Sequence, residues 1–322
     1  MALLLNERDV RTLLSMADLI EAMEAALAAF STGKVRQPVR SIIELGSHGF
    51  FGVMPAAYDE AAGAKLVTVV PGNHERGLPS HLATILLFDP QTGALEAMLD
   101  GRYITEARTA AVSAVSARHL ARPDSRVAAI IGSGVQARSH ADALSRVLAL
   151  QEFRVWSPSA DHRHAAARDI EAATDVKTTA SPSAREAVDG ADVVVLVTSA
   201  AAPVIEDAWI TEAVHVIGVG ACRPTQREMP GALVGRARLI VDSRDAAMKE
   251  AGDILLAQKD GANVHIAAEL GEICAGLAPG REAADDVTIF KSLGLAVEDI
   301  VSAALVLRRA REAGAGTTIE LG

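Results

Sequence analysis

The stretch Val127-Ala128-Ala129-Ile130-Ile131-Gly132-Ser133-Gly134-Val135-Gln136-Ala137 decides the fold. Its unbroken apolar run is what a strand buried on both faces of a parallel sheet requires. Gly132 permits the tight turn that leaves the strand, Gly134 lets a pyrophosphate come close to the backbone, and Ala137 lets the next helix pack against the strand. Ser133, Val135 and Gln136 complete the loop. Phosphates bound here sit at a helix N-terminus, where unpaired N–H groups and the helix dipole favour anions. Glycine turns are common, so the context carries the weight. The turn lies between a strand and a helical stretch, 137–148, with apolar Ala141, Leu144, Val147 and Leu148. The segment reads as a dinucleotide site; the alternative is a plain strand-to-helix turn with no nucleotide.

Downstream, apolar strands at 127–131, 154–156, 193–197, 215–219 and 239–241 alternate with helical stretches, with further short strands at 176–179 and 287–290. Such alternation predicts an α/β fold, a Rossmann-type doubly wound parallel sheet. Upstream the pattern differs. Residues 16–30 read as a helix with Leu19, Ile20, Met23, Leu27 and Phe30 on one face. Short apolar runs at 42–43, 50–54, 66–70, 83–88 and 95–99 follow, with the turn Asp89-Pro90-Gln91-Thr92-Gly93 between the last two. That is a β-meander, and 105–120 then reads as a helix. The long helix 296–313 is expected to return to this first domain and make it discontinuous. The expected division is an α+β substrate and dimerisation domain, 1–115 with 297–322, and a nucleotide domain, 116–296. A largely apolar meander cannot bury both faces alone, so a homodimer through it is expected. The alternative is that the last helix covers the second face.

Composition agrees with this plan. The chain has 322 residues, half of them apolar and only 3% aromatic, so Ala, Val, Leu and Ile must build the core. A net charge of −10 argues against a nucleic-acid surface, which needs a clustered basic patch. Cys222 and Cys274 lack metal-ligand spacing, which suits a reduced, cytoplasmic protein with no metal site. The N-terminal residues show neither a signal peptide nor a membrane anchor.

Three cations precede the glycine turn: Arg40 after Pro38-Val39, Lys65 before the run 66–70, and Arg108 among small residues. A guanidinium presents a planar fork that matches a carboxylate. Converging on one pocket, the three would take a small carboxylate; singly, each reads as an ordinary surface charge.

Several blocks occur in order: Met54-Pro55, Lys65 through Pro71-Gly72-Asn73, Leu78-Pro79-Ser80-His81, Leu99-Asp100-Gly101 with Ile104-Thr105, Arg108-Thr109-Ala110-Ala111, the 132–137 turn, Gly220-Ala221-Cys222-Arg223-Pro224, and Phe290-Lys291-Ser292-Leu293-Gly294 followed by Glu298-Asp299. On these the chain resembles the ornithine cyclodeaminase/mu-crystallin family over nearly its whole length. The resemblance implies a dimerising N-terminal domain, a nicotinamide-binding domain and an active site in the cleft between them. It implies that Arg40, Lys65 and Arg108 hold the substrate carboxylate and flank the reacting carbon, with Met54, His81, Cys222 and Arg223 also lining the substrate site. Thr109 and the 132–137 turn match positions near the cofactor phosphates. Thr198-Ser199, Val219-Gly220 and Ser292 to Gly294 match positions along the cofactor cleft.

Two departures narrow the activity. True ornithine cyclodeaminases read Gly-Ala-Asp where this chain reads Gly220-Ala221-Cys222, and they carry a glutamate for the distal amine where this chain has Phe50-Phe51-Gly52-Val53. A substrate amine buried there would lack a carboxylate partner. The block 222–228 and Ser80-His81 resemble the ketimine-reductase branch, which reduces cyclic imines carrying a 2-carboxylate. The implied substrate is Δ1-pyrroline-2-carboxylate or its six-membered analogue, the implied product L-proline or L-pipecolate. Lys65 is a carboxylate contact and candidate proton source. Cys222 reads first as a small buried residue and second as a pocket wall. His81 is open between a structural and a ligand role, and His140 reads as packing. After the second strand, Ser157 and Ser159 carry hydroxyls where an NAD site places a carboxylate, and Arg163 is close; this favours NADPH, with NADH the alternative and Asp161 the counter-argument. Competing readings are an alanine dehydrogenase-like reductive amination, ornithine cyclodeamination, and a low-turnover protein that binds NADPH and a ligand.

Overall fold

The computed structural model describes residues 1–46 and 49–320, and of His74 the backbone alone. In chain order the elements are β1 (Ala2–Leu5), α1 (Glu7–Leu13), α2 (Met16–Ser31), β2 (Ser41–Leu45), β3 (Gly49–Tyr58), β4 (Ala61–Val69), β5 (His81–Phe88), β6 (Leu95–Asp100), α3 (Gly101–Leu120), β7 (Val127–Ile131), α4 (Val135–Ser145), β8 (Glu152–Trp156), α5 (Ala160–Thr174) and β9 (Lys177–Ala180). There follow α6 (Ala184–Val188), β10 (Val193–Leu196), β11 (His215–Gly218), α7 (Gly231–Arg236), β12 (Arg238–Val241), α8 (Arg244–Glu250), α9 (Gly252–Lys259), β13 (Ile266–Glu269), α10 (Leu270–Cys274), β14 (Thr288–Lys291), α11 (Ala296–Ala313) and β15 (Thr317–Ile319). The chain forms two compact units, Met1–Arg108 with Leu295–Gly322, and Thr109–Gly294. The division therefore falls at 108/109 and 294/295, inside α3 and just before α11.

In the second unit the sheet order is β13-β12-β14-β11-β10-β7-β8-β9. Every pairing is parallel. Counting β7 as the first strand, the series β9-β8-β7-β10-β11-β14 is the 3-2-1-4-5-6 order of the dinucleotide fold, with its switch point between β7 and β10. β10 and β11 are buried along their whole length, as strands covered on both faces must be. Small and branched side chains fill the core, including Ala129, Ile131, Val194, Leu196, Val216 and Ile289. Close packing with few aromatics, Phe153 and Phe290 among them, is what the composition predicts.

In the first unit the order is β15-β1-β6-β5-β4-β3-β2. The meander β2 to β6 is antiparallel throughout. The N-terminal run at β1, in which the sequence showed no element, pairs in parallel with β6. β4 also starts earlier than the apolar run 66–70 suggests: it begins at Ala61, so Lys65 sits in mid-strand. Ala61 to Ala64 have weak strand preference, but pairing with β3 and β5 overrides it. Gly63 is needed there, since a Cβ would lie 2.1 Å from the Leu86 carbonyl oxygen. One face of the sheet packs on α11, which also packs on α2. The other face carries Ile43, Phe51, Val53, Leu66, Leu82 and Leu86 in register. Ile43 and Leu82 there are 58% and 40% exposed, so within its own unit α11 does not cover this second face. Among the described residues no helix is long and apolar enough to cross a membrane.

Candidate active site

Side chains alternate along a strand, so the register assigns faces. Lys65 stands opposite Met54 on β3 and Ile85 on β5, and Val69, two strand steps on with the same orientation, stands opposite His81. Lys65, Met54 and His81 therefore share the face covered by α11. Lys65 is 2% exposed. An unpaired ammonium so deeply buried would be costly. Asp299 supplies the partner, its Oδ2 lying 2.6 Å from Lys65 Nζ. Arg108 on α3 is also buried; its Nε donates to Asp299 Oδ1 at 3.1 Å and its Nη1 to Glu298 Oε2 at 2.7 Å. Glu298 and Asp299 are both fully buried in the first turn of α11, where the helix dipole favours negative charge.

The electrostatics of this group follow from burial and neighbours. Burial pulls the Lys65 ammonium down and Asp299 pushes it back up, while Arg108 and Arg40 repel it; the balance leaves its pKa lowered to about 8. Burial works to raise the Asp299 carboxyl, but the Lys65 and Arg108 cations outweigh it and hold it below the ordinary carboxylate value. His81 is depressed to about 4, by burial first and then by Lys65 and Arg108, and is neutral at pH 7. Arg40, half-buried between α2 and β2, acts on Lys65 as a neighbouring positive charge. A carboxylate entering beside these cations would relieve their mutual repulsion. The first unit thus brings Arg40, Lys65, His81 and Arg108 together, with Met54 buried opposite Lys65.

Glu298 and Asp299, which hold the cations, went unassigned in the sequence. They lie 190 and 191 residues from Arg108. The available signals were their place among the family blocks and two adjacent acids opening a helix, a pattern ordinarily explained by the dipole alone.

The second unit contains the glycine turn. Gly132 has φ +127, and a Cβ on it would stand 2.6 Å from the Val197 carbonyl oxygen, so only glycine fits. Gly134 is the N-cap of α4, has open space where a Cβ would be, and no side chain caps the helix. Ser133 and Gln136 are half-buried and Val135 is exposed; the Gln136 Oε1 is buried without a hydrogen-bond partner. An open helix N-terminus fronted by glycine suits a pyrophosphate, so the residues present fit the dinucleotide. Ala137, fully buried, closes the helix onto the sheet.

After β8 the Ser157 hydroxyl is buried and donates to the Ser159 carbonyl oxygen at 3.2 Å, Ser159 Oγ caps α5 through the His162 N–H, and Arg163 Nη1 donates to the Ser157 carbonyl oxygen at 3.1 Å. Arg163 is therefore anchored beside this loop, while Ser157 turns inward. Thr198 is half-buried and Ser199 exposed beyond β10, Val219 and Gly220 follow β11, and Ser292 to Gly294 follow β14. Thr109 is buried within α3. His140 is packed as expected, its Nε2 sharing a hydrogen bond with Ser113 Oγ at 2.9 Å and its Nδ1 with the Gln136 carbonyl oxygen at 2.8 Å. Cys222 corrects an expectation: it is exposed, not a small core residue, with Sγ 3.2 Å from the Val219 carbonyl oxygen. The loop after Ala221 leaves the core, and Arg223 on it is half-buried.

Comparisons with known proteins bear on this geometry. The profile of the ornithine cyclodeaminase/mu-crystallin family matches residues 2–314. Ketimine reductase mu-crystallin of Rattus norvegicus is 44% identical over 294 residues, covering 89% of this chain and 90% of that protein. The Δ1-pyrroline-2-carboxylate reductase of Thermococcus litoralis, solved with NADH and L-proline, superimposes with a TM-score of 0.96 at 39% identity, covering 98% of this chain and 100% of that one. An archaeal alanine dehydrogenase dimer with bound NAD superimposes with a TM-score of 0.93 at 32% identity, covering 100% and 99%.

Proposed function

The chain belongs to the ornithine cyclodeaminase/mu-crystallin family, and from that premise we propose that it reduces a cyclic ketimine carboxylate with NAD(P)H. The substrate is Δ1-pyrroline-2-carboxylate or its six-membered analogue, and the product L-proline or L-pipecolate. The observation that carries this reading is the buried group formed by Lys65, Arg108, Glu298 and Asp299. A nicotinamide cofactor, when bound, supplies the hydride that reduces the C=N carbon. Arg108 and Arg40 fix the 2-carboxylate, and fixing the reacting atoms can supply a large share of the rate. Lys65, protonated below about pH 8, contacts the carboxylate and holds a proton at Nζ for the imine nitrogen. In the first unit Met54 and His81 border the substrate. The turn Gly132-Ser133-Gly134-Val135-Gln136 and Thr109 hold the phosphates. Thr198, Ser199, Val219, Gly220, Ser292 and Gly294 line the cofactor cleft.

NADPH is the preferred form in this reading: positions 157 and 159 carry serines where an NAD site usually carries an acid, and Arg163 is anchored beside them. Cyclodeamination is disfavoured by Cys222 and by Phe50 to Val53, which offer no carboxylate to a distal amine. The similarity to an alanine dehydrogenase keeps one second reading, reductive amination of pyruvate. The open apolar face of the meander supports a homodimer through the first unit, which the mass in solution tests: a monomer would refute it. Cys222 and Cys274, neither of them in a disulfide, accord with a cytoplasmic location. The discriminating experiment is a panel of five- and six-membered cyclic imines, and of pyruvate with ammonia, each with NADPH and NADH. Turnover with the imines and NADPH is expected. Turnover with pyruvate and ammonia alone would overturn the proposal.

A further inference from the structure

Glu228 is fully buried in the second unit, and the reaction above does not use it. Its Oε1 accepts from the Thr198 N–H at 2.7 Å and the Thr198 hydroxyl at 2.8 Å. Its Oε2 accepts from the N–H of Gly220 at 2.6 Å and of Ala221 at 3.2 Å. Thr198 follows β10 and Gly220 follows β11. These neighbouring strands lie on the side of β7 away from β8, the half of the sheet that takes the second mononucleotide of a dinucleotide. The β10–β11 ladder ends at Leu196 and Gly218, extended by the Val219 N–H to the Leu196 carbonyl. Beyond that point one carboxylate satisfies the loop N–H groups in place of a neighbouring strand. The loops touch: a Cβ on Gly220 would lie 1.9 Å from the Thr198 carbonyl oxygen.

The carboxylate is anchored from below. Asp253 Oδ1 accepts from the backbone N–H of Glu228 at 2.7 Å and of Met229 at 3.0 Å. Lys291, fully buried at the end of β14, pairs with Asp253 at 3.2 Å and donates to the Gly218 carbonyl oxygen at 3.3 Å. A buried line Lys291–Asp253–Glu228 thus joins three strand ends to two loops.

We propose that Glu228 is a positioning residue for the nicotinamide half of the cofactor, holding the Thr198 and Gly220 loops in one arrangement without touching the cofactor. The proposal rests on the cofactor reading above. Glu228→Gln keeps the size but turns an amide N–H toward N–H groups, and the test compares two ligands. One is NADPH; the other is 2′-phospho-ADP-ribose, the same molecule without nicotinamide. If the wild-type protein binds NADH more tightly, NADH and ADP-ribose replace them. Binding of the whole cofactor is expected to weaken by about tenfold or more, and that of the truncated ligand by less than about twofold. Asp253→Asn, which loosens the anchor and leaves the carboxylate, is expected to show the same selective loss to a smaller degree, and serves if the first variant does not fold. Equal weakening of both ligands, or no weakening of either, would overturn the proposal. A wild-type protein that binds neither ligand would overturn the cofactor reading itself.

Discussion

Replacing Asp299 by asparagine tests the electrostatic reasoning at its centre. Asp299 Oδ2 lies 2.6 Å from Lys65 Nζ, with both side chains buried. At an effective permittivity of about 20 the attraction is on the order of 6 kcal/mol. One pKa unit corresponds to about 1.4 kcal/mol, so even a quarter of that attraction moves Lys65 by about one unit. Burial, Arg108 and Arg40 all push Lys65 down, and Asp299 alone among its stated neighbours pushes it up. The variant therefore lowers Lys65 from about 8 by about one unit or more. Lys65 is required protonated, so activity falls as pH rises through its pKa. The assay is kcat/KM for Δ1-pyrroline-2-carboxylate against pH at saturating NADPH. Titration of the imine itself is common to both proteins and cancels in the comparison. The alkaline limb is expected to move toward acid in the variant, with partial recovery of activity at lower pH. A folded variant whose profile superimposes on that of the wild type would refute the reasoning.

Arg108→Ala removes a charge-assisted carboxylate contact worth roughly 1.5–3 kcal/mol, so KM for the imine is expected to rise far more than kcat falls; unchanged kinetics would remove Arg108 from the site. His140 and His215 are fully buried, and burial lowers them to about 4 and about 3. The unfolded chain takes up their protons first, so the stability they contribute is present above about pH 6.5 and is lost as pH falls below it; Tm is expected to drop between pH 7 and pH 5, and a His140→Gln variant that keeps the whole drop would contradict His140's share. Gly132→Ala forces a Cβ into positive φ and to 2.6 Å from the Val197 carbonyl oxygen, so cofactor binding is expected to be lost or the second unit destabilised; wild-type affinity and Tm together would exclude that strain.

The parts of the fold with strong local signals were legible in the sequence. The strand Val127–Ile131 and the helix Ala296–Ala313 have the expected bounds, because an apolar run ending in glycine and a long amphipathic stretch closed by Gly314 need no distant context. β1, β13 and β15 were not legible: each is at most four residues long and exists through its neighbours. The start of β4 failed for the same reason, since Ala61 to Ala64 become a strand only between β3 and β5. At the candidate site, the glycine turn announced itself through backbone demands. Lys65 and Arg108 stood out only through the family resemblance, because isolated basic residues look like surface charge. The role of their carboxylate partners was not legible because the contacts span 190 positions or more, nor was the Glu228 clasp, because its four hydrogen bonds go to loops 30 residues upstream and 7 to 8 residues upstream.

The most direct test supplies the protein with Δ1-pyrroline-2-carboxylate and NADPH carrying deuterium at nicotinamide C4, one epimer at a time, and analyses the amino acid formed. With one of the two epimers the account predicts L-proline with a single deuterium at Cα, one per NADPH consumed. Absence of deuterated L-proline with either epimer, and with the NADH counterparts, would contradict it.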